Sequence, residues 1–473
     1  MGTGPRVGMR EIAGAIASQI QSDQSLVGCR LPPIRVLAHQ LGVSKNTVTA
    51  AYEELQSKDL VESRGRTGLF VTIRQGPNLT DRLGVIGDGK KRVPLPQFKP
   101  LIKIGVTSQG EDKMIALSSI FIDPKILPKD RMTACFKSVL KSPGLANFSD
   151  RQGFLPLRKK IAQRLSKRGI SAEPEQIVTT VGSQQALDLV CRSLGSGVIA
   201  TENPAYYVGK ALFQMNGMSP IGLPIEPFRG LDLGYWEKVI AANRPGLVYL
   251  TSNFQNPTGY SYSSQELTHL IDWSQKYGFG ILEDDWGSDM LSYSEFKPSV
   301  RALGGDNVLY MNSFTKKLLP SLRIGYVVGN EQTVPGLVQG KRLSISAVPM
   351  LVEAALFEFL DRGYYDAHLK KLQQELDTRY QNCLNLLRTL MPEDVRWTSP
   401  GGGSMLWLEC PKRVVIEVLV ERLKARKVLI QPSHDAFFDK PHLHGFKIGY
   451  ALPSVKEMQT GIEILSEELK KEF

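Results

Sequence analysis

Nowhere does the sequence stay apolar for the roughly 20 residues that a bilayer-spanning helix requires. Met1 to Arg10 carry neither an apolar core nor a small-residue cleavage site, so export is not expected and no membrane partner is assigned. Cysteine is scarce. Cys29, Cys135, Cys191, Cys383 and Cys410 are scattered, odd in number and without metal spacing. That pattern excludes a disulfide framework and implies reduced, mostly buried thiols in a cytoplasmic protein. Histidine is also sparse, with six in 473 residues and no cluster with cysteine, so no metal site is expected. Internal repeats and low-complexity tracts are missing as well. Acidic residues are in deficit: 47 Asp and Glu against 58 Lys and Arg give a formal charge of +11, which permits a polyanionic partner without requiring one.

The length implies two or three domains. Residues 6–74 carry their own helix signals. Residues 75–113 have linker composition, with Gly76-Pro77, a Gly-Asp-Gly-Lys-Lys-Arg run and several prolines. A short irregular subdomain is the alternative. Across 114–473, apolar runs such as Leu247–Leu250 and Val308–Met311 alternate with amphipathic helical segments, the pattern of an α/β domain with a mostly parallel sheet.

In the first segment, three helical faces are written by Ile12, Ala15, Ile16 and Ile20, by Ile34, Leu37, Ala38 and Leu41, and by Val48, Ala51, Tyr52 and Leu55. Gly42 permits a tight turn between the last two helices, and Ser44 caps the next one. Two helices joined this way form a helix-turn-helix whose second member enters the major groove. Ser44, Lys45, Asn46 and Thr47 lie on its leading face and suit phosphates and base edges. Residues 60–64 and 69–72 form a hairpin with Arg66 at its basic tip, a candidate wing. Solvated charges on a small helical domain are the bland alternative for any one of these residues. The run Leu31-Pro32-Pro33-Ile34-Arg35, then Leu41-Gly42-Val43-Ser44, Thr47-Val48 and Gly68-Leu69-Phe70-Val71, resembles the GntR family of bacterial regulators. By that resemblance Arg35, Ser44, Lys45, Asn46, Thr47 and Arg66 are the candidate contacts to a double-stranded DNA operator.

Four segments of the large domain sit where strands end, the ligand edge of an open α/β sheet. Gly182-Ser183-Gln184 opens a helix, whose free N–H groups hold phosphate. In Ser313-Phe314-Thr315-Lys316-Lys317, followed by Arg323, a lysine able to condense with an aldehyde stands among hydroxyls and an arginine. Two surface lysines are the alternative. Glu283-Asp284-Asp285-Trp286 offers a carboxylate for a protonated pyridine nitrogen, or for a metal. Asn253-Phe254-Gln255-Asn256-Pro257-Thr258-Gly259 is a turn carrying an amide. In this order the segments resemble fold-type I aminotransferases, and behind a GntR-like module the whole chain resembles the MocR (GabR-type) regulators.

The resemblance implies a winged helix-turn-helix followed by an α/β fold-type I aminotransferase-like domain with a large, mostly parallel sheet and a small C-terminal subdomain. It implies pyridoxal 5'-phosphate as cofactor, with Lys316 as its Schiff-base lysine, Asp284 at the ring nitrogen, Asn256 at the phenolic oxygen and Tyr206 stacked on the ring. Ser183, Gln184, Ser313, Thr315 and Arg323 would take the phosphate. Asn147 to Arg158 fits the family's opening of the domain. Three features depart from the family. Trp286 replaces a tyrosine two residues after the ring aspartate, and an indole cannot accept a proton. Residues 194–198 are short. Lys447 stands where an arginine clamps the substrate carboxylate, and lysine cannot make the bidentate fork. The expected function is a homodimeric, PLP-dependent transcription regulator that responds to the cofactor alone or to its aldimine with a small amine or amino-acid-like effector. Two other readings are an active aminotransferase with an accessory DNA-binding module, and a sensor of cofactor supply that needs no amine. The Lys447 and Trp286 departures argue against turnover.

Overall fold

The structure is a computed structural model describing residues 7–22, 26–72, 114–142, 144, 150–289 and 299–472. They fall into two compact units, one within residues 1–99 and one within 100–473. The stretch 75–113, expected as a linker, lies outside the described residues, as does Asn147.

Three helices and a hairpin make the first unit: α1 (Met9–Ser22), α2 (Ile34–Leu41), α3 (Lys45–Ser57), β1 (Val61–Ser63) and β2 (Leu69–Val71). Val48, Ala51, Tyr52 and Leu55 of α3 are all buried, so the apolar stripe of this helix is its packing face. Ile12, Ala13 and Ile20 pack against it from α1. Ala13 is buried where Ala15 was expected. Ala15 is exposed, because the helix turns its Ile12–Ala13 edge inward. Gly42 closes α2 with φ of 63°, where a side chain would be strained. Ser44 then caps α3, its Oγ accepting from the Thr47 N–H at 3.1 Å. The Tyr52 hydroxyl donates to the Pro32 carbonyl at 2.7 Å, tying α3 to the proline pair before α2. β1 and β2 pair antiparallel around the short turn Gly65–Thr67.

The second unit is built on a seven-stranded sheet of β4 (Ile177–Thr180), β5 (Gly197–Asn203), β6 (Met218–Pro224), β7 (Leu247–Leu250), β8 (Gly280–Asp284), β9 (Val308–Ser313) and β10 (Gly325–Val328). These follow β3 (Ile115–Ala116), the first described strand of the unit. The order is β4-β10-β9-β8-β7-β5-β6, parallel except for β10. β7 and most of β8 are buried on both faces, as strands covered by helices on either side must be. An antiparallel insertion has a local consequence: the start of β10 lies level with the ends of its neighbours. Arg323, just before β10, thereby reaches the edge where β4, β7, β8 and β9 finish.

A smaller sheet joins β11 (Arg396–Trp397), β12 (Met405–Glu409) and β14 (Gly445–Gly449), and β13 (Val428–Leu429) pairs in parallel with β3. The 27-residue helix Tyr364–Leu390 contributes to two apolar cores, one through Tyr365, Leu369 and Leu372 and the other through Tyr380, Cys383 and Leu387. Four of the five cysteines are buried and Cys29 is exposed. No helix among the described residues is long and apolar enough to cross a membrane.

Candidate functional site

At the carboxyl edge of the large sheet lies a cavity of about 200 Å³. Its wall includes Ser183, Gln184, Tyr206, Asn256, Asp284, Trp286, Ser313, Thr315, Lys316 and Arg323, so all ten residues expected around a cofactor converge there. They come from the helix start after β4, from loops after β5 and β7, from the ends of β8 and β9 with the turns that follow, and from the approach to β10.

Each is positioned by its element. Gly182 starts the helix Gly182–Leu194 with φ of 78°. A β-carbon there would press to 3.3 Å from the Arg323 guanidinium and 3.4 Å from Thr315 Oγ1, so glycine leaves these groups their place. Thr315 N–H donates to Ser313 Oγ at 3.2 Å, curling the chain after β9. The turn bearing Asn256 is braced by buried Glu202, which accepts from the Thr251 N–H at 3.0 Å, the Tyr262 hydroxyl at 2.8 Å and Gln255 Nε2 at 3.2 Å. Burial pushes the Glu202 carboxyl up to about 8.

The electrostatics centre on Asp284 and Lys316. Burial raises the Asp284 carboxyl to about 6, opposed by a hydrogen bond that Oδ2 accepts from the Tyr249 hydroxyl at 2.9 Å. Burial lowers the Lys316 amine to about 8; Asp284 opposes that shift, whereas Lys447, Arg323 and Lys317 reinforce it. Lys316 Nζ stands 4.0 Å from the centroid of the Trp286 ring, a cation–π contact. Trp286 thus covers the amine with a π face and presents no phenol to the site.

Lys447, on β14, is buried, and its amine is lowered to about 8 by that burial. It lines a second, smaller cavity that shares Asn256 with the first and is otherwise walled by residues such as Tyr207, Ser433 and Asp435. Lys447 is therefore beside the main cavity and is not one of its lining residues.

Phe121, Tyr249 and Thr251 complete the wall without having been anticipated. A tyrosine in an otherwise aliphatic strand was the available signal for Tyr249. Phe121 comes from irregular chain and left none.

In the first unit, Arg35, Ser44, Lys45 and Asn46 are exposed and Thr47 is half-buried. Ser44 and Thr47 are engaged with each other through the cap, their hydroxyls 2.8 Å apart. Arg66 belongs to the turn Gly65–Thr67 at the hairpin tip.

Comparison with known proteins agrees with both units. Residues 123–465 match the model of aminotransferase class I and II. The chain belongs to that family. Residues 9–71 of this aminotransferase-family chain match the bacterial regulatory proteins of the gntR family. The HTH-type transcriptional regulator YisV of Bacillus subtilis is 28% identical over 473 residues, covering 98% of this chain and 96% of the relative. The probable rhizopine catabolism regulatory protein MocR of Rhizobium meliloti is 26% identical over 96% of this chain and 92% of its own length. Among solved structures, LysN, the alpha-aminoadipate aminotransferase of Thermus thermophilus, superposes with a TM-score of 0.71 at 28% identity, covering 76% of this chain and 92% of that one. The chain therefore has the architecture of the MocR-like regulators, a GntR helix-turn-helix module joined to an aminotransferase-type domain.

The wall also fits the family's cofactor chemically. Asp284 Oδ1 and Thr315 Oγ1 are buried without a hydrogen-bond partner among the described residues. A lone carboxylate oxygen suits a ring N–H, and a hydroxyl beside Arg323 and a helix N-terminus suits phosphate.

Proposed function

We propose that this protein is a transcription regulator that binds pyridoxal 5'-phosphate in its second unit and reads an operator with its first, as a homodimer on paired half-sites. The observation that carries this reading is the convergence of Lys316, Asp284 and Arg323 on one cavity in a chain that also bears a capped helix, α3, with Lys45 and Asn46 exposed at its leading end.

Lys316 would hold the cofactor covalently through its ε-amine, which burial keeps partly neutral near physiological pH. Asp284 would sit at the ring nitrogen, oriented by the Tyr249 hydroxyl. Asn256 would donate to the phenolic oxygen and Tyr206 would stack on the ring. Ser183, Gln184, Ser313, Thr315 and Arg323 would hold the phosphate. When bound, pyridoxal phosphate supplies an aldehyde carbon that captures primary amines reversibly. Trp286 excludes water above Lys316 and, lacking an exchangeable phenol, moves no proton there. Lys447 would attract the acid group of an amine effector as a point charge, with looser geometry than a guanidinium fork. In the first unit, Arg35, Lys45 and Arg66 would hold phosphates, and Ser44, Asn46 and Thr47 would approach base edges. Coupling requires the effector to bind the two DNA-binding geometries with different affinity. Residues 75–113 would connect the two domains.

Purified protein should shift DNA from its own upstream region, and Lys45→Ala with Arg66→Ala should abolish the shift. The affinity should change when pyridoxal phosphate, or the cofactor with a panel of amines, is added. Affinity indifferent to every addition, together with many catalytic cycles per site on an amino donor, would make the chain an enzyme with an accessory module.

A further inference from the structure

Two doublets flank the site, Asp284-Asp285 and Lys316-Lys317, and each sends one member forward and one back. Asp284 and Lys316 line the cavity. Lys317 is completely buried behind it: its Nζ lies 2.5 Å from Asp289 Oδ1 and donates to Asn312 Oδ1 at 2.6 Å. Asp285 is equally buried and pairs with Arg168 at 2.8 Å, also accepting from the Tyr310 hydroxyl at 2.7 Å. Asn312 Nδ2 donates to that same hydroxyl at 2.9 Å, so the two ion pairs form one network of two carboxylates and two cations. The long helix Tyr364–Leu390 closes it from the other side. Tyr365 donates to Asp289 Oδ2 at 2.8 Å, and His368 Nε2 lies 2.7 Å from the Lys317 carbonyl oxygen.

We infer that Asp289 is a positioning residue for Lys316. Its carboxylate anchors the Lys317 ammonium on the far side of the turn Thr315–Lys317, and His368 fixes the Lys317 carbonyl, so that Lys316 alone of the two lysines faces the cavity. The inference deepens the role given to Lys316 above, but it concerns the protein without cofactor and can be tested there.

The Lys317–Asp289 pair acts on the neighbouring Lys316 amine through its charge. A buried ammonium next to Lys316 disfavours the charged form of Lys316, and a carboxylate that neutralises it limits that effect. Besides Asp289, the groups that face Lys317 among the described residues are Asp285, Arg168, Asn312 and the Phe314 ring, with Asp284 and Lys316 beyond them on the cavity side. Those that face Lys316 are Asp284, Trp286, Arg323, Lys447 and Lys317. Asp289 is the direct ion-pair partner of Lys317 in this set. A sequence-local explanation is absent, because Asp289 is far along the chain from Lys317.

The test is trace acetylation with acetic anhydride on cofactor-free protein from pH 6 to 11, with the Lys316 and Lys317 peptides quantified separately by mass. In the parent protein Lys316 should titrate near 8 while Lys317 stays unlabelled. Asp289→Asn should lower the Lys316 midpoint by about one pH unit, or expose Lys317 to labelling at least about tenfold, since either follows from an unanchored ammonium. Asp289→Glu should restore the parental pattern. Lys317→Met, which keeps the length without the charge, should raise the Lys316 midpoint by about one pH unit and carries the test if Asp289→Asn does not fold. If both variants melt earlier yet leave the Lys316 midpoint and the Lys316-to-Lys317 labelling ratio unchanged, the pair is structural only and the inference is overturned. Failure of the cofactor to bind would leave this measurement intact.

Discussion

Replacing Asp284 with asparagine should weaken the cofactor and strengthen the empty protein at once. The Asp284 carboxyl is held at about 6 against an ordinary carboxyl of 3.8, because burial is only partly offset by Tyr249. A raised value means that the folded state prefers the proton, so ionising Asp284 costs stability as pH climbs from about 4 to about 6, and the whole cost is present at pH 7.5. At 1.36 kcal/mol per unit, that cost is about 2–3 kcal/mol. Asparagine is nearly isosteric, carries no charge and can still accept from the Tyr249 hydroxyl through its amide oxygen. Empty Asp284→Asn protein should therefore melt roughly 3 °C above the parent at pH 7.5, with the difference vanishing below about pH 4. Pyridoxal phosphate loses a charge-assisted hydrogen bond worth about 1.5–3 kcal/mol, so its Kd should rise roughly 10- to 150-fold. Differential scanning fluorimetry with and without cofactor, plus titration of the visible band, reads both arms. An empty variant that melts below the parent at pH 7.5, or one with an unchanged Kd, refutes the placement of this carboxylate.

Other consequences follow from single residues. Because the amine of Lys316 is lowered to about 8 and the neutral form is the nucleophile, the rate of cofactor incorporation should level off above about pH 8; continued acceleration towards 10.5 would show an ordinary exposed lysine. Lys45→Ala should weaken DNA binding by a similar factor on every sequence and reduce the slope of log K against log salt by about 1, whereas loss confined to one operator would mean that Lys45 reads a base. Lys447→Arg should tighten binding of α-amino acids roughly tenfold by supplying a bidentate fork, and an unchanged affinity in calorimetry would place the effector's acid group elsewhere.

The helix-turn-helix was legible because its signals are local. Gly42 and Ser44 act within their own turn, and the stripe Val48, Ala51, Tyr52 and Leu55 needs only the helical period. Ala15 was misplaced for the same reason: periodicity allows two registers of a small residue, and only packing against α3 selects Ala13. In the second unit, four strand-end segments were readable, since each carries several unusual residue types together. Which member of Lys316-Lys317 or Asp284-Asp285 faces the cavity is not encoded locally. It is decided by partners distant in sequence, Asp289 and Arg168 for the rear members. Tyr249 and Phe121 reach the wall through strand order and an irregular crossing, neither of which has a sequence period.

Cofactor capture by this protein would turn on a covalent bond at one amine. Protein mixed with pyridoxal phosphate, reduced with borohydride and digested should carry the phosphopyridoxyl group on the peptide containing Lys316, and Lys316→Ala should carry none there or at Lys317. A colourless mixture with no modified Lys316 peptide, or equal labelling in the Lys316→Ala protein, would contradict it.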